Sequence, residues 1–370
     1  MRLVIDGQRL TAERTGVGRC LEGLLDEWAG TGFPLAETVV VLRDRRGLER
    51  VPRADGLEAV VVGEGWPGLA WECFGLGRVL RPDDLLFAPT NLVPIPWRGR
   101  TVLIVHDTLP WAVPGSFPRH VRWRFGWRYR LATQRSYRVL VPSESTARDV
   151  ARVHGVPRDR LRVVHLAPEP GFRPLPPASD VVRDARRTVG LGDAPYVLFV
   201  GKRSRRRNVP VLLEAFARHR RGHPTHRLVF AGPVDRGPLP GPDAGTIRAG
   251  HVPEAVLRGL MADALALVYP SDYEGFGLPI VEALASGCPV VTLRNSALTE
   301  AGGDAPWYLD APEPEALAHA LHVLASDPRD RAGRVARGLA HVARFSRTWL
   351  AREVKAELVA AADLLESRPA

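Results

Sequence analysis

Residues 266–293 read ALVYPSDYEGFGLPIVEALASGCPVVTL. The apolar run from Ala266 has the character of a buried strand and stops at Pro270. A loop, Asp272 to Leu278, follows. Pro279 then opens a helix, at a position where its missing N–H would be unsatisfied in any case. The helix reaches Gly287, and Cys288–Leu293 is a second β-branched run. One strand–loop–helix–strand unit of this kind implies a parallel sheet, with ligands held at the carboxyl ends of the strands. The loop also carries chemistry. Gly275 and Gly277 let backbone come close to a ligand, and the free N–H groups of the helix start favour an anion. Glu274 lies just before that point. Glu282 lies about one turn into the helix, where a carboxylate can accept hydrogen bonds from ribose hydroxyls. A plain strand–turn–helix with two surface glutamates has the same spacing.

Working outward, the same alternation fills the chain. Leu3–Asp6, Thr38–Arg43, Glu58–Gly63, Asp84–Pro89, Thr101–Asp107 and Tyr137–Ser143 read as strands. Several are apolar throughout, as strands covered on both faces must be. Helical patterns over Gly18–Trp28 and His120–Gln134 lie between them. A break follows at His165–Asp180, HLAPEPGFRPLPPASD, whose five prolines cannot continue a helix or a central strand. The alternation restarts with strands at Tyr196–Gly201 and His226–Gly232 and helices at Val209–Arg220 and Pro253–Ala264. Helices from about Pro314 close the chain. The expected fold class is α/β, with two Rossmann-like parallel-sheet domains facing across a cleft. Their bounds are residues 1–170 and 171–345, and a helix over 346–370 packs back on the first domain.

Length and composition set the frame. A chain of 370 residues exceeds what one core usually holds. The start, MRLVIDGQRL, reaches Asp6 too soon for a secretory leader, and no apolar run is long enough to span a bilayer. Cys20, Cys73 and Cys288 are few and far apart, which fits a reducing, cytoplasmic setting. The formal net charge is +10, almost wholly from arginine, since Lys202 and Lys355 are the only lysines. Such a balance favours anionic partners such as phosphates, nucleic acid or acidic lipid, without choosing among them.

Further stretches repeat the strand-end logic. Asp6-Gly7 followed by TGVGR, Thr15–Arg19, places Gly16, Val17 and Gly18 at a strand-to-helix turn. Val105–Pro110, VHDTLP, puts His106 and Asp107 at the end of another strand. Ser143 is a good helix N-cap. Phe199–Phe216, FVGKRSRRRNVPVLLEAF, crowds five cationic side chains into Lys202–Arg207 as the chain leaves a strand. This is either a phosphate-binding turn or a solvated basic turn, and its place at a strand's carboxyl end favours phosphate. Asp83-Asp84 reads as a turn, and no metal-ligand cluster is evident.

The run E-G-F-G-L-P-x-x-E-A-x-A-x-G-x-P-V-V resembles the signature of retaining, nucleotide-sugar-dependent glycosyltransferases of family GT4, which have the GT-B fold. The N-terminal glycine loop, the His106-Asp107 pair of the family's "HD" subgroup, the Ser143 helix start, the basic turn and ALTEAGGDAP (Ala297–Pro306) resemble further segments of that family in the expected order. The resemblance spans essentially the whole chain. It implies transfer of a hexose from a nucleoside-diphosphate sugar to an acceptor hydroxyl. It places Glu274 and His106 at the donor sugar as the catalytic pair. It places Gly16, Val17, Gly18, Asp107, Lys202, Arg207, Phe276, Gly277, Leu278 and Glu282 around the donor, with Glu282 on the ribose. Arg207 stands where the family usually has lysine, so charge is kept and bidentate geometry gained. The leaving phosphate takes the acceptor's proton in the family's favoured mechanism, so neither metal nor other cofactor is implied.

The donor would be GDP-linked or UDP-/dTDP-linked, with the "HD" pair pointing toward mannosyl transfer. The acceptor could be a sugar, a lipid-linked sugar or a small molecule. Arg119–Arg138 carries seven arginines, interleaved with Trp123, Phe125, Trp127 and Tyr129, and no acidic residue. It could rest on anionic lipid at the inner face of a membrane, bind an anionic acceptor, or pack its aromatics inward. Two other classes compete. A nucleotide-sugar epimerase or a sugar phosphorylase would share the fold, the latter needing a pyridoxal lysine that only Lys202 could supply. A nucleic-acid-binding protein would explain the charge but leaves residues 266–293 unexplained, so no nucleic acid is expected.

Overall fold

The computed structural model describes residues 1–11, 15–113, 115, 117–233 and 245–366. The chain divides into two compact units, Met1–Ala167 together with Phe345–Ala370, and Pro168–Arg344.

The first unit is a seven-stranded, wholly parallel sheet. Its strands are β1 (Leu3–Asp6), β2 (Thr38–Leu42), β3 (Leu57–Val61), β4 (Leu85–Ala88), β5 (Thr101–Ile104), β6 (Arg138–Val141) and β7 (Leu161–Val163). They lie in the order 3-2-1-4-5-6-7. The order reverses beside β1, so the carboxyl ends of β1 and β4 flank a switch point where a crevice forms. Helices α1 (Gly16–Thr31), α2 (Gly68–Ala70), α3 (Leu109–Ala112), α4 (Arg119–Arg135) and α5 (Glu144–His154) join the strands. Two apolar layers cover the sheet. Leu21, Leu24, Leu25 and Trp28 of α1 pack on one face, and Ala132, Ala147, Val150 and Trp71 on the other. The central strands are closed on both faces, which is why they read as unbroken apolar runs.

The second unit begins with α6 (Asp180–Thr188) and holds a six-stranded sheet. Its elements are β8 (Tyr196–Val200), α7 (Val209–His219), β9 (Arg227–Ala231), β10 (Thr246–Gly250), α8 (Glu254–Asp263), β11 (Ala266–Tyr269), α9 (Leu278–Ala285), β12 (Val290–Leu293), α10 (Leu298–Gly302), β13 (Trp307–Leu309), α11 (Pro314–Ser326) and α12 (Pro328–Val342). The order 10-9-8-11-12-13 puts a second switch point between β9 and β11, at the end of β8.

The last helix, α13 (Arg347–Glu366), belongs to the first unit. Val354, Leu358, Ala361 and Ala362 enter the same cluster as Leu3, Ile5 and Leu25. The indole of Trp28 donates to the carbonyl of Ala351 at 3.0 Å. Arg138 pairs with Glu357 at 2.7 Å, and Arg162 with Glu353 at 2.8 Å.

β7, β10, β13 and α6 carry no clear mark in the sequence. The three strands are sheet edges of three to five residues with partly exposed patterns, so no apolar run announces them. No helix among the described residues is long and apolar enough to cross a membrane.

Candidate functional site

Both units gather their chemistry at the carboxyl ends of their strands. In the first unit, β1 ends at Asp6, which is 1% exposed. Its carboxylate accepts from the Gln8 amide N–H at 3.0 Å, the Gln8 side chain at 3.1 Å and the Thr90 hydroxyl at 2.6 Å. Burial pushes the Asp6 carboxyl above its usual range, and these donors oppose the shift. Asp6 thereby ties the β1 turn to the loop after β4. The next residue of that loop, Asn91, has φ 65°. Its side-chain oxygen accepts from the His106 backbone N–H at 2.8 Å.

The His106 ring is fixed from the same loop, with Nε2 2.9 Å from the Pro89 carbonyl. A carbonyl only accepts, so Nε2 carries the proton and Nδ1 is left as an acceptor. Burial pushes the imidazole down from its ordinary value, which keeps it neutral. His106 is therefore arranged to accept a hydrogen bond at Nδ1. Asp107 caps the following turn by accepting from Leu109 N–H at 2.9 Å.

The glycine turn before α1 divides its labour. Thr15 is the N-cap, and its hydroxyl accepts from Gly18 N–H at 3.1 Å. A Cβ on Gly18 would lie 2.6 Å from the Arg9 carbonyl, so packing alone requires that glycine. A Cβ on Gly16 would meet nothing within 4 Å. The N–H groups of Gly16 and Val17 have no partner among the described residues.

In the second unit, the loop after β11 holds Glu274 in a nest of donors. Its Oε1 accepts from Arg206 Nη1, from Tyr269 Oη at 2.8 Å and from Ser271 Oγ at 3.0 Å. Arg207 Nη2 stands 3.2 Å from the same oxygen. The Glu274 N–H donates to Ser296 Oγ at 3.2 Å. Arg206 Nη1 also reaches the Tyr273 carbonyl at 2.7 Å and Ser271 Oγ at 2.8 Å. Arg207 donates to the Val200 carbonyl at 2.8 Å and lies over the Tyr269 ring, 4.6 Å from its centroid. Asn208, at φ 47°, clamps the basic turn to this loop through Asp272 at 2.6 Å and the Pro270 carbonyl at 3.0 Å. Lys202 is exposed.

Helix α9 starts from Gly277 at φ 109°, a conformation that side chains resist. The N–H groups of Gly277 and Leu278 have no partner among the described residues, while Ile280 N–H returns to the Gly277 carbonyl at 2.8 Å. They form a free anion-facing end beside Glu274. Phe276 is buried, and Glu282 is 1% exposed on α9.

The structure thus brings Lys202, Arg207, Glu274, Phe276, Gly277, Leu278 and Glu282 into one unit, and Gly16, Val17, Gly18, His106 and Asp107 into the other. Sequence reading missed Arg206, Tyr269, Ser271, Asn91, Asn208 and Ser296. Among the described residues, Asn91, Asn208 and Ser296 are the three non-glycine positions with positive φ. Each holds a candidate residue or its loop, and such conformations gather at functional sites. Only the asparagines carried a signal, as the side chain most tolerant of that region. Among the described residues, no group of three or more His, Cys, Asp or Glu side chains is arranged to hold a metal ion.

Two family models match the chain, "Glycosyltransferase Family 4" over residues 14–167 and "Glycosyl transferases group 1" over residues 194–327. The O-antigen chain mannosyltransferase B of Escherichia coli is 34% identical over 226 residues, 56% of each chain. The chain spans about half the length of the first curated relatives it matches. A GDP-mannose-dependent alpha-(1-6)-phosphatidylinositol dimannoside mannosyltransferase of Mycobacterium tuberculosis is 28% identical over 365 residues, 92% of this chain and 90% of the relative. Among solved structures, Anabaena Alr3699/HepE in complex with UDP and glucose superposes with a TM-score of 0.73 at 17% identity, covering all of both chains. WaaG, a glycosyltransferase involved in lipopolysaccharide biosynthesis, superposes with a TM-score of 0.69 at 15% identity, again over all of both chains. The architecture of two parallel-sheet domains is the GT-B fold.

Proposed function

We propose that this chain, which belongs to the GT4-type glycosyltransferases, moves a hexose from a nucleoside-diphosphate sugar to an acceptor hydroxyl with retention of configuration and without a metal. The observation that carries the reading is the loop after β11. It sets one oriented carboxylate, Glu274, beside the open N–H groups of Gly277 and Leu278, within a turn rich in arginine. A sugar diphosphate needs those two features together, an acceptor for its hydroxyls and donors for its phosphates.

Negative charge grows on the departing diphosphate. Lys202, the α9 N-terminus and Arg207 stabilise it, and such preorganised donors are worth most where water is excluded. Arg207 faces Glu274 and the end of β8, so it acts from behind the loop, while exposed Lys202 makes the outer contact. His106 contributes an acceptor at Nδ1 for a sugar hydroxyl. Glu282 holds the ribose, and Asp107 and Gly18 shape their turns. The diphosphate itself takes the acceptor's proton.

The GDP-mannose-dependent relative supports a GDP-linked donor, with a UDP- or dTDP-linked one as the alternative. The acceptor is a saccharide, glycolipid or natural product in the cytoplasm. Trp123 is 76% exposed and Trp127, one turn on, 43% exposed on arginine-rich α4, which supports contact with anionic lipid. Thermal shift with UDP, GDP, dTDP and ADP tests the reading, since a ligand of the folded state raises its stability. The matching nucleotide sugar should then be consumed. Folded protein that no nucleoside diphosphate stabilises would refute it.

A further inference from the structure

The hydrogen bonds of Glu274 are lopsided. Arginine–carboxylate pairs commonly form two parallel bonds, one to each oxygen. Here Arg206, Arg207, Tyr269 and Ser271 all converge on Oε1. Oε2 has no partner among the described residues, although the side chain is only 13% exposed. The converging groups are themselves fixed. Ser271 and Tyr269 are buried, Thr292 donates to the Tyr269 carbonyl at 2.7 Å, and Asn295 donates to the Ser271 carbonyl at 3.2 Å. Arg206 is the hub, because a single nitrogen, Nη1, meets Glu274, Ser271 and the Tyr273 carbonyl. Its own carbonyl accepts from Asp272 N–H at 2.8 Å, locking turn to loop.

We infer that Oε1 is the anchored oxygen and Oε2 the working one, accepting a hydrogen bond from a hydroxyl of the donor hexose, and that Arg206 is the positioning residue that aims it. This rests on the glycosyltransferase reading. It assigns the sugar contact to one atom and gives Arg206 a task distinct from phosphate binding.

Substitution by glutamine separates the two oxygens. Three hydrogen-bond donors and the Arg207 guanidinium require an acceptor, so the amide of Glu274→Gln turns its oxygen into the nest and presents NH2 in place of Oε2. The nest stays intact, and the sugar hydroxyl meets a donor instead of an acceptor. The test measures calorimetric affinity for the nucleoside diphosphate and for its sugar-linked form, with donor turnover, in wild type, Glu274→Gln, Arg206→Lys, Arg206→Gln and Tyr269→Phe. For Glu274→Gln, diphosphate affinity should stay within about twofold, while the extra affinity from the sugar disappears and turnover falls at least about 100-fold. Arg206→Lys should lower kcat about tenfold with little change in donor KM, and Arg206→Gln should lower it further, since lysine keeps the charge but not the aim. Tyr269→Phe, which removes one donor of several, guards against a variant that fails to fold. Unchanged sugar affinity and turnover in Glu274→Gln would overturn the assignment of Oε2. Equal losses of kcat and diphosphate affinity in Arg206→Lys would make Arg206 a phosphate ligand instead. A wild-type protein that binds no nucleoside diphosphate at all would sink the parent reading rather than this refinement alone.

Discussion

Acid should loosen the second unit at a definable place. His219 closes α7 and is 4% exposed, with Nε2 3.0 Å from His226 Nδ1. The rings of His219, His223 and His226 lie against one another with centroids 4.6–5.1 Å apart, and His322 of α11 joins through His223 at 3.2 Å. Two imidazoles share one hydrogen bond only while one of the facing nitrogens is unprotonated. His219 Nδ1 is buried with no acceptor, so a second proton there has nowhere to donate. Burial first, then the neighbouring histidines, push His219 from 6.5 to about 3, and burial also pushes His226 down. A base whose folded pKa is depressed takes up its proton more readily when unfolded. Its stabilisation is therefore complete above the unfolded value and is lost as pH falls from about 6.5 toward 3. At pH 5 the loss from His219 alone is about 2 kcal/mol, equivalent to an opening equilibrium raised about 30-fold. Hydrogen exchange of the α7 and β9 amides, corrected for intrinsic rate and compared between pH 7.5 and pH 5, measures it locally. His219→Phe fills the same stack without a titrating group and should flatten that pH dependence, whatever it does to absolute stability. The same pH slope in wild type and His219→Phe would refute the reasoning.

Three further outcomes follow from the site. Gly18→Ala drives a Cβ against the Arg9 carbonyl and should cost about 1–3 kcal/mol in thermal or urea unfolding, whereas Gly16→Ala should leave the fold unchanged. If Gly16 is kept open for a diphosphate, Gly16→Ala should nonetheless weaken nucleotide binding in calorimetry. Glu282→Ala should chiefly weaken donor binding and Glu274→Ala chiefly slow transfer, as read from KM and kcat, and matched binding defects in both would contradict that division. Replacing Trp123 and Trp127 by alanine should reduce sedimentation with anionic vesicles and leave turnover of a soluble acceptor unaffected, because both residues are exposed on α4.

The sheet interiors were legible because strands closed on both faces must be apolar throughout, and β1, β4, β8 and β11 lie where their runs fall. The α9 turn was legible because Pro279, two residues past Gly277, suits the first turn of a helix and little else there. Arg206 was not distinguishable among five cations in six residues, because which arginine turns inward depends on the left-handed residue that follows. Asn208 bends the turn and ties it to Asp272, and only then does Arg206 meet Glu274. Tyr269 and Ser271 were hidden in the same way. In sequence they end a strand, and only the fold of the loop brings their hydroxyls to one oxygen. Arg128 was hidden as well, because nothing in the basic run of α4 marks which arginine is buried, and the fold sets it against Glu72 at 3.0 Å.

The return of α13 to the first sheet sets an order of assembly. The second unit is one uninterrupted segment, so every residue of its core is present once Arg344 has been made. The first unit is not in that position. Until the helix after Phe345 arrives, Leu25, Trp28, Leu3 and Ile5 lack Val354, Leu358 and Ala361 to cover them. On a ribosome the part made first is therefore finished last, with its apolar face bare throughout synthesis of the second unit. Exposed apolar surface of that kind is where chaperones bind and where aggregation begins. Deletions that trim α13 should thus show themselves as failures of the first domain to mature, far along the chain from the cut.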